Sequence, residues 1–506
     1  MSAKAISSRR RWRLALAVAF GLPPVLSVAP ARATTLFDAI RLAYQTNPVL
    51  RGQRAEVNAL GEGYVQARAG LGPQLNLNAQ GGHSIARVQA GPTLFTGPSD
   101  TTNRGSTGTA DLSLVQPLYA FGANRALIHG AEATFLAGTE NLREVEAETL
   151  TRVITAYVDV HRDRETLRIL REETSNLGKL VDETEAKGEL GALTRTDVAE
   201  ARGRLIQVQA ELDLAQGRLA ADTAEYLNVV GEPPDDLAPE PKLPTPGTID
   251  EAFAAADQNN PQVRSAMENE TAAREKVNEA KAAYGPTLSM RVDAGVQPIE
   301  PYLPNLYDRN VTVAAVLSQP LFTSGLRGAK VREAADRHTE ALLQAQATRR
   351  DVVQKVAQAW SQFAATRAAV GRVQTEVEVD ITALEGNQIE ERVGRRSIFE
   401  LLNAELQLAN ARIDLLQQHH DQYVAEAAVL AAMGLLEARY ITPGLETYDP
   451  IKALRKVSGK GVPPWVGLME SVDRRPGGGV KPLSAAALEE GSQRPDVASD
   501  ASPPAS

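Results

Sequence analysis

The stretch "LVQPLYAFG" (Leu114–Gly122) returns later as "LSQPLFTSG" (Leu317–Gly325). Both read Gln-Pro-Leu-aromatic-x-x-Gly, and Pro320 and Gly325 each lie 203 residues after Pro117 and Gly122. Equal spacing at both ends of the pattern points to two copies of one unit, which must be settled before any element is assigned. Further landmarks agree. Asn47-Pro48 matches Asn260-Pro261, and Gly72-Pro73 matches Gly285-Pro286, both at an offset of 213. The offset falls to 203 by Pro117, so the first copy carries ten extra residues between Pro73 and Pro117. "GALTRTDVAEA", from Gly191, and "GRRSIFELLNA", from Gly394, keep the 203 spacing and align Thr194 with Ser397 and Asp197 with Glu400.

Within each copy the period changes in the same order. A helix starts at Asn-Pro, where Asn caps and Pro suits the first helical position. It stops at Gly-Pro. Strict alternation follows: Leu75, Leu77 and Ala79 in the first copy, and Leu288, Met290, Val292, Ala294 and Val296 in the second. Return strands carry Ala110, Leu112 and Leu114, or Val311, Val313, Ala315 and Leu317. The predicted strands are Gln74–Gly82, Thr109–Gln116, Thr287–Val296 and Val311–Gln319, joined by loops over His83–Ser106 and Gln297–Arg309. Alternation alone fits a half-buried soluble hairpin equally well.

Long helices come next. Ala123–Lys187 and Leu326–Glu390 are each free of proline for 65 residues, about 100 Å at 1.5 Å per residue. Leu150, Val153, Tyr157 and Val160 step by three and four, and Val353, Val356, Trp360 and Phe363 repeat the seam 203 residues later. Such a seam predicts coiled-coil packing. The opening pattern therefore marks a strand becoming a long helix. Pro117 and Pro320 lack the N–H that a ladder needs, and Gly122 and Gly325 permit the change of direction. Tyr119, Phe121 and Phe322 stand there, where a membrane barrel places an aromatic girdle.

The ends of the chain read differently. Residues 1–33 combine the basic "RRRWR", a Pro-interrupted apolar run and "ARA", the pattern of a secretory signal peptide. Its removal takes six positive charges and moves the net charge from −9 to −15, which argues against nucleic-acid binding. The first repeat is placed at 34–230, a Pro-rich linker at 231–248 and the second repeat at 249–450, with 451–506 expected to be disordered. There is no cysteine, so disulfides, thiolate metal sites and Cys nucleophiles are excluded. "DVHRD" (Asp159–Asp163) and "HHD" (His419–Asp421) read as solvated helix faces rather than metal sites, because adjacent helical residues diverge. No Walker-type loop is present, so any ATP use belongs to a partner. Neither a cofactor, a metal nor an enzymatic activity is expected.

Four strands cannot close a membrane barrel, since small ones need about eight; three copies would supply twelve strands around a central pore. At this point the chain resembles the TolC-like outer membrane factors, the trimeric channel-tunnels of efflux and type I secretion. The resemblance covers about Thr35 to Pro450 and rests on the Asn-Pro, Gly-Pro, Gln-Pro-Leu-aromatic and Gly-led turn motifs, each present twice. It implies a mainly α protein with a β-barrel part: a homotrimer with a 12-stranded barrel in outer membrane lipid and a helical tunnel across the periplasm. It also implies docking to a periplasmic adaptor and to an inner-membrane transporter of the ABC type. "PGLETYDPIKALRKV" (Pro443–Val457) is similar to the type I secretion branch, which favours protein secretion over small-molecule efflux. A soluble periplasmic coiled-coil adaptor or scaffold is the rival from another class.

The resemblance carries roles onto particular residues. The tips Gly191, Ala192, Leu193, Thr194, Gly394, Arg395, Arg396 and Ser397 would dock the adaptor. Thr196 and Asp197 would face Arg396 as a latch, Glu400 would line an acidic ring on the axis, and Asn403 stands where the family often has a second Asp. That departure lowers the expected ring charge. Pro117, Gly122, Pro320 and Gly325 mark the strand-to-helix junctions.

Overall fold

The computed structural model describes residues 33–473 apart from 93, 96, 192, 300–306, 443 and 461; the predicted signal peptide lies almost wholly outside them. The first copy runs α1 (Leu36–Thr46), α2 (Pro48–Ala69), β1 (Gln74–Ala90), β2 (Ser99–Tyr119), α3 (Ala123–Glu189) and α4 (Arg195–Val230). The second repeats it as α5 (Ile249–Asn259), α6 (Pro261–Ala282), β3 (Thr287–Pro298), β4 (Tyr307–Ser318), α7 (Leu326–Arg392) and α8 (Ile398–Ala432). Three short helices follow: α9 (Ala438–Ile441), α10 (Pro450–Val457) and α11 (Val466–Val472).

Each Asn-Pro landmark does two jobs. Asn47 Oδ1 accepts from the N–H groups of Val49 and Leu50 at the start of α2, while its Nδ2 donates to Val229 O at the end of α4. Asn260 does the same for Gln262 and Val263, and donates to Ala432 O at the end of α8. One amide thereby satisfies orphan donors at one helix start and an orphan acceptor at another helix end.

The four strands form one antiparallel sheet in the order β1-β2-β3-β4, leaving β1 and β4 as edges. Register decides how its faces are used. Leu75 pairs with Leu114, Leu114 with Val292 and Val292 with Val313. On the next rung Leu77 pairs with Leu112, Leu112 with Ala294 and Ala294 with Val311. Residues directly paired across a ladder share a face, so every apolar position of the alternation falls on one side. Asn76, Ser113, Asp293 and Thr312 fall on the other. The apolar side is not covered: Leu77 is 71 % exposed, Val311 75 %, Val313 67 % and Leu317 68 %. A half-buried soluble hairpin would hide this face.

The ladder is longer than the sequence reading. β1 and β2 stay paired from Gln74↔Val115 out to Ala90↔Ser99, so the residues predicted as a loop over His83–Ser106 are mostly strand. The second hairpin likewise extends to Pro298 and Tyr307. Pro117 does not end its strand. The register slips at a bulge between Pro117 and Tyr119, and pairing resumes at Tyr119↔Leu288, because a bulge leaves a position that needs no ladder N–H. Pro320 does lie beyond β4.

At both junctions the Gln of the repeated pattern ties sheet to helix. Gln116 Nε2 donates to Leu71 O at 2.8 Å, and Gln319 Nε2 donates to Tyr284 O at 3.0 Å. Phe121 and Gly122 have φ of 54° and 87°, and Ser324 and Gly325 have 47° and 80°. The turn into each long helix thus needs two successive left-handed residues, a conformation only glycine adopts without strain. The Phe121 ring lies so close to Gly285 that any Cβ there would overlap it, which locks the first junction onto the end of α6.

α3 and α7 are each 67 residues long. Leu150, Val153, Tyr157 and Val160 are buried in the largest core, with α1 and the end of α4. Val356 and Phe363 are buried with α5 and α8, and Val353 and Trp360 pack partly against them. The expected disorder after Pro450 is corrected for 451–473. Asp449 caps α10, and Val466 of α11 is buried among Ala67, Leu71 and Ile128. Buried Asp473 accepts the N–H groups of Ala120, Gly122 and Asn124. This strap makes its contacts through single apolar plugs and one carboxylate, a pattern that composition hides.

Removing the Gln116 amide strands a buried carbonyl, at a cost of about 1–3 kcal/mol. Gln116→Ala should therefore lower the thermal unfolding midpoint clearly more than Gln319→Ala, because Gln116 is buried and Gln319 is exposed. Equal shifts would contradict a buried anchor at the first junction.

Candidate functional site

The far ends of the long helices form two matched turns. α3 closes at Leu190 with Gly191 at φ 73°, and Thr194 starts α4 through a capping box with Asp197. α7 closes at Val393 with Gly394 at φ 72°, and Ser397 starts α8 through a capping box with Glu400. Asp197 and Glu400 are matched across the copies because both are the N3 carboxylate of such a box. The Thr194 N–H holds the Asp197 carboxyl below the usual range, and the Ser397 N–H does the same for Glu400.

Asp197 and Arg396 are not brought together within the chain. Asp197 Oδ2 accepts from the Thr194 N–H and hydroxyl at 2.8 Å. Arg396 instead donates from Nε to Glu390 at 2.8 Å and from Nη1 to Glu400 at 3.1 Å. The capping box claims the Asp197 carboxylate, and Glu390, one turn back on α7, competes for the guanidinium. Thr196 is exposed; Leu193 is half-buried, Arg395 is exposed, and Ala192 lies outside the described residues. The links that do join the two hairpins are others. Lys187 Nζ meets Glu391 Oε1 at 3.0 Å, and Arg204 Nη2 donates to Asn403 Oδ1 at 3.1 Å. Asn403 thus spends its side chain on a polar link. Leu190 and Val393, equivalent positions 203 apart, are exposed at the two tips; comparing the copies for unsupported apolar residues would have found them.

Midway along the helices the expected wet faces are corrected. Asp159 and Asp163 pair with Arg162, which also reaches Asp222. His420 lies 2.9 Å from Asp159 and from Asp421. His161 pairs with Glu240 at 2.8 Å, which draws the linker across α3. That hydrogen bond raises the His161 pKa; burial pushes Glu240 up, but the His161 bond, the backbone N–H of Glu240 and the charges of His161 and His419 together hold it low. Tyr157 reaches the carbonyls of Thr34 and Ala238, and Tyr423 donates to Pro241 O. The linker encloses a cleft of about 490 Å³ lined by His161, Arg162, Glu240, Lys242, His420 and Tyr423. No three His or carboxylate residues converge as a metal site among the described residues. Sequence reasoning missed this belt because the linker, folding back, supplies half of it.

The architecture is matched outside the chain. The family model for outer membrane efflux proteins matches residues 39–231 and 253–435, one segment per copy. The chain belongs to the outer membrane efflux protein family. Its relatives include the outer membrane efflux protein BepC of Brucella suis, 28 % identical over 445 residues covering 88 % of this chain and 94 % of that one. The alkaline protease secretion protein AprF of Pseudomonas aeruginosa is 26 % identical over 438 residues, covering 83 % and 88 %. Among solved structures, the CmeC outer membrane channel of Campylobacter jejuni superposes with a TM-score of 0.69 at 16 % identity, over 84 % of this chain and 89 % of that one. The chain is therefore an outer-membrane channel protein with a helical tunnel on the periplasmic side, and not an enzyme. No described helix is long and apolar enough to cross a membrane. The soluble-scaffold reading is overturned by the family match.

Burial pushes the Glu146 carboxyl up to about 7, against the Ala438 N–H that it accepts and helped by nearby Glu437. A carboxyl raised in the fold favours the folded state at low pH, and that contribution is lost as pH rises through about 7. Glu146→Gln keeps the acceptor without the charge. It should match the parent near pH 3.5, below the unfolded value, and be more stable at pH 8 by roughly 1–3 kcal/mol, measured by denaturant unfolding at both values.

Proposed function

We propose that this channel serves type I protein secretion: three copies form the conduit, a periplasmic adaptor docks at the helix tips, and an inner-membrane ABC transporter feeds it. The supporting observation is the match to AprF along most of both chains, together with the ending Pro443–Val457. Its Tyr448 N–H donates to the Tyr44 hydroxyl, and Tyr448 in turn donates to Asn58. Small-molecule efflux is the second reading, favoured by the match to BepC. Affinity capture of the crosslinked complex separates the two: co-purification of an ABC transporter supports secretion, and capture of a proton-driven pump overturns it.

Trimerisation follows from what one protomer leaves open. β1 and β4 are unpaired edges, a liability in any membrane sheet. α3 is packed on by α2, α4, α6 and α8, whereas α7 keeps Leu343, Val379 and Ile389 exposed. Joining β4 to β1 of the next copy closes twelve strands and covers α7. The loop ends of the hairpins then face outward and the tips face the periplasm. Because the chain has no cysteine, single replacements report cleanly. Ser99→Cys should react with a membrane-impermeant maleimide on intact cells and Ser175→Cys should not; silence at Ser99 in a folded trimer would remove this topology.

In this reading the turns at Gly191 and Gly394 dock the adaptor, and Glu400 contributes to an acidic ring at the entrance. Arg396, held by Glu390 and Glu400, stiffens the closed tip, and Lys187–Glu391 and Arg204–Asn403 share that work. In planar bilayers Arg396→Ser should raise single-channel conductance, and Glu400→Ala should weaken cation selectivity. Unchanged conductance in Arg396→Ser would place the closure elsewhere.

A further inference from the structure

α11 is pinned on one face and bare on the next. Val466, Met469 and Asp473 point inward: Val466 into the Ala67, Leu71 and Ile128 cluster, and Asp473 onto the N–H groups of Ala120, Gly122 and Asn124. The spacing puts Trp465, Leu468 and Val472 on the adjoining face, about 100° round the axis, where they are 46 %, 62 % and 53 % exposed. The single charged residue inside the helix, Glu470, is half-buried. A short helix that is apolar on both faces has a use for the second face.

Its position says what that use is. Gln116 is in register with Leu112 and Leu114 on the apolar sheet face, and it bonds the carbonyl of Leu71. The Leu71 side chain is the one that Val466 packs against. α11 thus sits at the foot of the exposed apolar face, next to where β1 begins at Gln74. Trp residues with apolar neighbours favour the level of lipid headgroups, and a helix with its apolar side outward lies in that interface rather than across it. We propose that α11 is an interfacial anchor, with Trp465, Leu468 and Val472 resting in the inner leaflet of the outer membrane. The C-terminal strap would then fix the depth of the barrel as well as close the first junction. The second junction has no such helix among the described residues, and Leu321 and Phe322 stand bare there. This inference rests on the barrel reading.

The test uses the purified full-length trimer in phosphatidylethanolamine vesicles with acyl chains brominated near the headgroup. The Trp12→Phe/Trp360→Phe variant leaves Trp465 as the sole tryptophan. Its emission should fall about twofold or more relative to unbrominated vesicles, as for a ring at the interface. A control places the only tryptophan in the sheet, with Trp465→Phe and Val313→Trp added. Quenching of the control with unquenched Trp465 overturns the anchor and leaves the barrel standing. Absence of quenching at both positions removes the barrel reading itself. A disulfide between Leu468→Cys of one copy and Phe322→Cys of another, with Trp465 unquenched, would assign the face to a neighbouring subunit and also overturn the proposal.

Discussion

A chain that leaves a sheet to enter a helix must hand its backbone from one hydrogen-bonding scheme to another within a few residues. That constraint organises this protein. A peptide group left unpaired and away from water costs about as much as a lost hydrogen bond, and neither the ladder nor the helix can serve the residues between them. Here the Gln116 and Gln319 amides tie each sheet to the turn before it, taking Leu71 O and Tyr284 O just past α2 and α6. Two left-handed residues then turn the chain into α3 or α7. The same Gln-Pro-Leu-aromatic-x-x-Gly pattern solves the same problem twice, which is why it is the most visible repeat in the chain.

The copies are alike in backbone and unlike in burial. α3 is enclosed by five helices and carries most of the buried seam, whereas α7 is packed mainly by α6 and α8. The two rods are equal in length, but within one protomer the first is a core element and the second is left open. Charge follows the same division. Arg143 sits between Glu140 and Glu437, and Glu146 receives the Ala438 N–H, so α3 also gathers the buried ionic contacts that hold the end of the second copy.

The repeat, the order of elements and the long helices were legible because each depends on periodicity or on Gly and Pro, which act locally. The lengths of β1 and β2 were not. Gly81, Gly82 and Gly108 interrupt the alternation, yet all three remain paired, since a ladder needs only backbone groups. The two turns lie at the Gly-led motifs, and within the chain Asp197 and Arg396 have other partners. A capping box and an inter-hairpin ion pair draw on the same residue types, and only the geometry shows that Asp197 serves the first. The belt around His161 and the strap ending at Asp473 depend on contacts between distant segments, for which one sequence carries no local signal.

The two rods have equal length, 67 residues each, and both are fixed at one end by a junction and at the other by a turn. Together they work as a ruler. Lengthening one alone would lift its turn out of level with the other and break Lys187–Glu391. Adding a single residue to both would rotate every later side chain by about 100° and turn the seam into water. Adding seven to both would preserve facing and level while lengthening the rods by about 10 Å. The reach of such a tunnel is thus quantised, and a lineage that needs a longer one must acquire paired insertions of whole heptads in both halves of the gene.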